Sequence, residues 1–287
     1  MEDLEIEANG LRHHALVWPG SKSTIVLVHG YMDAAGTWDR VAPALSAAGY
    51  RVVAPDMRGY GKGARAPAGS YYHFADYVFD LADLIDALSP DKPVALVGHS
   101  MGGTITTLYG GSFPERVARL ANLEGLGPPD MPPEVGADRM RHWIDQVRKL
   151  RAKESEARTP TFTREEARRR LAGNHPNVPP EVIDHRLPHL VRDEGEGRVS
   201  WRFDPLHRTT SPVPFSASLY RAFARKITSP VLFVHGGPTG FHPPDEEERL
   251  TSFANLERAE IPDAGHMMHW TRPEEVARLL LEFLDRP

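Results

Sequence analysis

The chain contains no cysteine. Disulfide frameworks, thiolate nucleophiles and sulfur-based zinc sites are thereby excluded, and covalent chemistry has to run on oxygen or nitrogen. Long apolar runs are missing too. No stretch approaches the roughly 18 residues of a membrane-spanning helix, so no stable membrane insertion is expected. Positive charge is not in excess: 34 Lys and Arg stand against 39 Asp and Glu, a net charge of −5. That balance gives no electrostatic ground for a nucleic-acid partner. The opening Met1-Glu2-Asp3-Leu4-Glu5 lacks the basic-then-apolar order of a secretion signal. Internal repeats and low-complexity tracts are also wanting. What remains is an ordinary globular composition, 40% hydrophobic and 25% charged over 287 residues, and a cytoplasmic location is expected.

The most informative stretch runs from Pro93 to Gly103. Five residues of strand character, Pro93-Val94-Ala95-Leu96-Val97, lead into Gly98-His99-Ser100-Met101-Gly102-Gly103, where a helical pattern begins. Gly98-x-Ser100-x-Gly102 has the spacing of a nucleophile elbow, in which small neighbours let the backbone bend sharply under the serine. Such a turn lifts the Ser100 hydroxyl above the sheet edge and aims the Met101 N–H at the place where an oxyanion would form.

The rest of the chain supplies the context. Asn9-Gly10 separates two strand-like segments and signals a hairpin. Thr24–Val28, Tyr50–Ala54, Val117–Leu123, Val231–Val234 and Leu256–Ile261 read as further strands, alternating with helical patterns. Trp38–Ala48 reads as a short helix and another extends to about Ala254. In a third, Phe74 to Leu88, Asp76, Asp80, Asp83 and Asp86 are expected on a solvated face. Strand–helix alternation predicts an α/β fold, a mainly parallel sheet covered on both faces, with its site beyond the carboxyl ends of the strands. His29-Gly30, Asp56, Ser100 and Glu124 all fall at such ends.

From Gly127 the composition changes, and residues 128–214 show helical patterns without convincing buried strands. Thr163 and Glu166 have capping-box spacing, as do Thr271 and Glu274 before the last helix. We therefore expect a core of residues 1–127 and 215–287 with a helical lid inserted at 128–214. Trp143, Phe162 and Trp201, with Met267 and Met268, suggest an apolar substrate pocket.

The pattern resembles the α/β-hydrolase superfamily over nearly the whole chain. The resemblance rests on His29-Gly30, Asp56-Met57-Arg58-Gly59-Tyr60-Gly61, the elbow at 98–103, Trp201-Arg202-Phe203-Asp204-Pro205 and Gly265-His266. It implies a serine esterase or lipase-like enzyme. Ser100 would be the nucleophile, His266 the general base, and the backbone N–H groups of Tyr31 and Met101 the oxyanion hole. Asp56–Gly61 looks like a structural turn, and His29 and His99 like loop braces. Neither a cofactor nor a metal is implied; His266 and His269 are three apart, but they lie in a loop.

One departure bears on the triad acid. In such proteins it usually follows the strand equivalent to Val231–Val234, but here that loop reads His235-Gly236-Gly237-Pro238-Thr239-Gly240, with threonine where aspartate belongs. Some members, including a branch of the haloalkane dehalogenases, place the acid after the earlier strand, where Glu124 stands. Glu124 is the expected acid, with Asp245 and Asp263 as alternatives. Those dehalogenases use an aspartate nucleophile, so Ser100 argues against dehalogenation and against epoxide opening through an alkyl ester. The expected function is hydrolysis of a small uncharged carboxylic ester through an acyl-enzyme. Thioesters, lactones, peroxyacid formation and carbon–carbon cleavage use similar triads, and a non-catalytic small-molecule-binding protein is the alternative from another class.

Overall fold

The computed structural model describes residues 1–155 and 160–286. Asn9 and Gly10 both take left-handed backbone, with φ of 49° and 68°, as a two-residue hairpin turn requires. They join β1 (Glu2–Ala8) to β2 (Leu11–Trp18) in antiparallel register. The main sheet continues with β3 (Thr24–Val28), β4 (Arg51–Pro55), β5 (Val94–His99) and β6 (Val117–Leu123). Three short strands, β7 (Phe162–Thr163), β8 (Val191–Gly195) and β9 (Arg198–Trp201), form a separate small sheet. The chain then returns to the main sheet as β10 (Val231–His235) and β11 (Leu256–Glu260). Strand order is β1-β2-β4-β3-β5-β6-β10-β11, parallel from β4 onward.

The helices are α1 (Ala42–Ala47), α2 (Phe74–Leu88) and α3 (Met101–Ser112) before β6. In the segment between β6 and β10 lie α4 (Gly136–Ser155), α5 (Arg164–Asn174), α6 (Pro180–Leu190) and α7 (Ala217–Ala224). α8 (Glu246–Leu250), α9 (Met268–Thr271) and α10 (Pro273–Leu284) complete the chain. Alternation along β3 shows how the sheet is covered. Ile25 and Leu27 pack with Ala42 and Leu45 of α1 and Leu280 and Phe283 of α10. Val26 and Val28 pack with Leu81 and Ile85 of α2, Ile105 of α3 and Tyr220 of α7. A strand buried on both faces needs apolar residues at every position, which is why Thr24–Val28 is continuous rather than alternating.

Five expectations need correction. Residues 128–214 do contain strands: β8 and β9 form an antiparallel hairpin, to which the two residues of β7 add an edge. Val191 and Val199 are buried, but Arg192, Asp193 and Glu194 are exposed, so the pattern is too short and polar to read as a buried strand. The acidic face of α2 is not simply solvated. Asp80 is fully buried and takes two bonds from the Arg58 guanidinium, one of them 2.5 Å, while Asp83 accepts the Asn9 N–H at 2.7 Å. The Thr271 capping box does not form, because Thr271 ends α9 and its hydroxyl donates to the Ala264 carbonyl at 2.7 Å. The expected helix over Trp38–Ala48 begins with a 3-10 turn at Ala35–Trp38, and the one expected to reach Ala254 ends at Leu250. The Thr163–Glu166 box forms as expected, each side chain bonding the other residue's N–H.

The segment from 128 to 214 meets the core partly through His207, in a 3-10 turn at Pro205–Arg208. Its buried ring stacks at 3.9 Å on Tyr60 and lies 3.9 Å from Tyr72. Burial pushes its pKa down to about 3, while the unfolded side chain titrates near the ordinary 6.5. Between those values the unfolded chain binds a proton that the folded one does not, so this group's contribution is intact above pH 6.5 and is lost progressively as pH falls toward 3. We expect urea midpoints to fall as pH is lowered from 6.5 to 4. His207→Phe should flatten that dependence by up to about one proton, and an unchanged slope would show that His207 is already charged in the fold.

Candidate active site

Ser100 occupies the one-residue junction between β5 and α3, with φ 52° and ψ −118°. Left-handed backbone at a non-glycine residue costs on the order of 1–3 kcal/mol. Close approach of its neighbours holds it there: a Cβ on Gly98 would strike the Gly102 backbone, and one on Gly102 the Val28 carbonyl. The Ser100 N–H donates to the Leu123 carbonyl at 2.9 Å, tying the turn to the end of β6.

Glu124 follows β6 and also has positive φ, 49°. Buried Asn122 sets that turn, accepting the Gly125 N–H at 2.6 Å and donating to the Gly125 carbonyl at 3.2 Å. The Glu124 carboxylate is fully buried and saturated. Its Oε1 accepts the Gly236 N–H at 2.6 Å; its Oε2 accepts the Phe241 N–H at 2.7 Å and lies 2.7 Å from His266 Nδ1. Burial alone would raise its pKa, but the bonds from His266 and the two backbone N–H groups outweigh that and hold it below the ordinary carboxylate value.

His266 lies in the loop between β11 and α9. Its Nε2 is 3.1 Å from Ser100 Oγ. An ionised carboxylate only accepts, so Nδ1 carries the ring proton and Nε2 is left to accept from the serine hydroxyl. The structure thus brings Ser100, His266 and Glu124 into one hydrogen-bonded chain. The other two candidate acids are engaged elsewhere or exposed: Asp245 pairs with Arg249 at 2.7 Å, and Asp263 is exposed in a turn at φ 56°.

Tyr31 follows Gly30, where a Cβ would come within 2.8 Å of His99 Nδ1 and 3.3 Å of Ser100 Cβ. Glycine thus lets this loop approach the elbow. Met101 is the first residue of α3. Both histidines expected to brace loops do so. The Gly30 carbonyl lies 2.8 Å from His29 Nδ1, and Met57 N–H donates to His29 Nε2 at 3.1 Å. His99 is buried and held neutral by burial, and its Nε2 lies 2.8 Å from the His266 carbonyl. Asp56 likewise serves its own turn, accepting from Ala35 N and Lys62 N at 2.7 and 2.9 Å.

The three residues expected to line a pocket each have packing partners. Trp143 packs edge-on against Tyr71 at 4.7 Å, and Trp201 packs with Phe162 and Phe203 at 6.4 and 5.8 Å. Met267 is buried with Ala34, Leu171, Leu187 and Trp270 between the inserted segment and the core.

Several residues of the site carry no sequence signal of their own. Gly236, Gly240 and Phe241 form the loop that clamps Glu124, and a Cβ on Gly240 would collide with Oε1. Asp33, Thr37, His269 and Trp270 form a second buried network: Thr37 Oγ1 donates to Asp33 at 2.7 Å and accepts from Trp270 Nε1 at 2.6 Å. His269 is drawn into this network, 2.8 Å from Thr37 Oγ1, and among the described residues neither it nor His266 belongs to a set with metal-ligating geometry.

Residues 23–273 match the family model of the alpha/beta hydrolase fold. A serine hydrolase-like protein of Danio rerio is 26% identical over 277 residues, spanning 94% of this chain and 84% of that protein. Epoxide hydrolase A of Mycobacterium tuberculosis is 26% identical over 330 residues, spanning 97% and 96%. Among solved structures, a hypothetical protein of Pseudomonas aeruginosa PAO1 superposes with a TM-score of 0.88 at 26% identity, over 100% of both chains.

The clamp on Glu124 makes a steric prediction. Gly240→Ala should displace the carboxylate and slow fluorophosphonate labelling of Ser100 by at least about tenfold, since His266 loses its orienting partner. Gly173→Ala, where an added Cβ meets nothing within 4 Å, should label at the wild-type rate. Equal rates for both variants would mean that the clamp does not matter.

Proposed function

Because this chain belongs to the alpha/beta hydrolase fold family, we propose that it is a serine hydrolase cleaving an uncharged carboxylic ester through an acyl-enzyme. One observation carries the reading: the unbroken sequence Ser100 Oγ, His266 Nε2, His266 Nδ1, Glu124 Oε2, spaced at 3.1 and 2.7 Å across its two hydrogen bonds. Ser100 Oγ attacks the ester carbonyl as its proton passes to His266 Nε2. The Tyr31 and Met101 N–H groups receive the oxyanion, each contributing about 3 kcal/mol to the transition state. The alkoxide then leaves with the proton from His266. Water, deprotonated by the same nitrogen, attacks the acyl carbon and regenerates Ser100 with release of the acid. Glu124 fixes the tautomer and offsets the charge on the imidazolium. Residues 128–214 are read as the lid that shapes the substrate side.

The epoxide hydrolases among the relatives raise a second chemistry, and the nucleophile decides against it. A serine opening an epoxide would form an alkyl ether, which lacks a carbonyl for water to attack, and turnover would stop after one event. Acyl transfer leaves an ester on Ser100, which the same base can hydrolyse.

Steady-state and burst kinetics with p-nitrophenyl esters of increasing acyl length test the proposal. We expect a burst of nitrophenol in the wild type and none in Ser100→Ala. Glu124→Gln should lower kcat by roughly 10³–10⁴ with KM little changed, while Asp245→Asn stays near wild type. Turnover of an epoxide without turnover of any ester, or full activity in Glu124→Gln, would reject the assignment.

A further inference from the structure

We propose that Asp39, His185 and His189 form a binding site for a divalent transition-metal ion, separate from the triad, that clips α6 to the core. His185 and His189 are four residues apart on α6, so their imidazoles share one helical face. Asp39 comes from the core, directly after the 3-10 turn Ala35–Trp38. The Nε2 atoms of His185 and His189 lie 3.0 and 3.2 Å from the same Asp39 oxygen, Oδ2, and the three donor atoms all lie within 4.8 Å of one another. Bonds of about 2.0–2.2 Å around a tetrahedral ion separate its ligand atoms by roughly 3.3–3.5 Å. The two His–Asp spacings are therefore near those an ion imposes.

Two imidazoles and one carboxylate suit zinc, cobalt or nickel rather than calcium or magnesium, which prefer oxygen ligands. The two imidazole side chains are 47% and 31% exposed, which leaves an approach for a hydrated ion and room for water as a further ligand. The surroundings already orient the donors. Arg186, itself almost fully buried, donates to Asp39 Oδ1 at 2.7 Å and to the Gly36 carbonyl at 3.0 Å, which fixes the carboxylate and leaves Oδ2 facing the histidines. The His189 ring lies against Gly36, where a Cβ would strike Nδ1. The Arg186 charge opposes the ion, so the site is of modest affinity. Its effect is mechanical: Ile183, Leu187 and Leu190 of α6 pack with Ala34 and Met267, on loops that flank Ser100 and His266. An ion shared by Asp39 and α6 would strengthen that seam without entering the chemistry.

The test is titration of the chelator-treated 287-residue chain with Co²⁺, followed by visible absorption and calorimetry, and repeated with Zn²⁺. We expect one ion per chain, the d–d bands of a four- or five-coordinate nitrogen–oxygen site, and a rise in melting temperature on binding. His185→Gln and His189→Gln should each weaken binding at least about tenfold. The double variant should lose both binding and thermal shift while keeping metal-free ester turnover. Absence of binding in the wild type overturns the proposal, as does binding that survives in the double variant, since the ion would then sit elsewhere.

Discussion

Glu124 is a buried anion, and much of the site follows from what is needed to keep it one. An isolated carboxylate in such surroundings would take up a proton rather than bear the loss of hydration. Three donors prevent this, and each comes from a different place: Gly236 at the end of β10, Phe241 across the following turn, and His266 beyond β11. The carboxylate therefore gathers the carboxyl ends of three adjacent strands. Replacing any one donor leaves the charge undersatisfied, and the loops lose the reason for their shape. This also explains why the loop after β10 lacks an aspartate: its backbone does the work of receiving a carboxylate supplied from β6.

Such convergence requires backbones closer than side chains allow. A Cβ on Gly103 would meet the Gly125 Cα, and a Cβ on Gly125 the Gly103 Cα, so the start of α3 can press against the turn that carries Glu124. The same closeness places Ser100 N–H on Leu123 and His99 against the carbonyl of His266. The glycines thus set how near Ser100, His266 and Glu124 come to one another, and the hydrogen bonds set their orientation.

Local signals in the sequence were legible because they act locally. Asn9-Gly10 specifies its own turn, Thr163 and Glu166 bond each other, and Gly98-x-Ser100-x-Gly102 needs only its own backbone to bend. The place of Glu124 beside His266 was legible for a related reason: the end of a parallel strand is a defined position, and threonine stands in the alternative. What failed to show depends on partners distant in the chain. Asp80 is 22 residues from Arg58, which buries it, and Thr271 found the Ala264 carbonyl before it could cap α10. The ring contacts of Trp143 with Tyr71 and of Trp201 with Phe203 are likewise made between residues distant or unpatterned in the sequence. The clamp of Gly236 and Phe241 uses backbone N–H groups, which every sequence has.

The loop from Tyr31 to Asp39 shows what this packing accomplishes. Asp56 holds it from the sheet side through Ala35 N–H, and the Asp33–Thr37–Trp270 network fixes it to α9. Arg186 binds the Gly36 carbonyl from the inserted segment, and the Tyr31 hydroxyl donates to the His207 carbonyl. Hydrogen-bond donors aimed at a developing oxyanion contribute most when they do not have to reorganise as charge appears. A loop tethered on three sides meets that condition for the proposed Tyr31 donor, whereas a free surface loop would spend part of the same interaction on ordering itself. The inserted segment therefore bears on the proposed chemistry through this loop: by packing on it, the segment makes the rigidity of one proposed oxyanion donor depend on the folding of residues far along the chain.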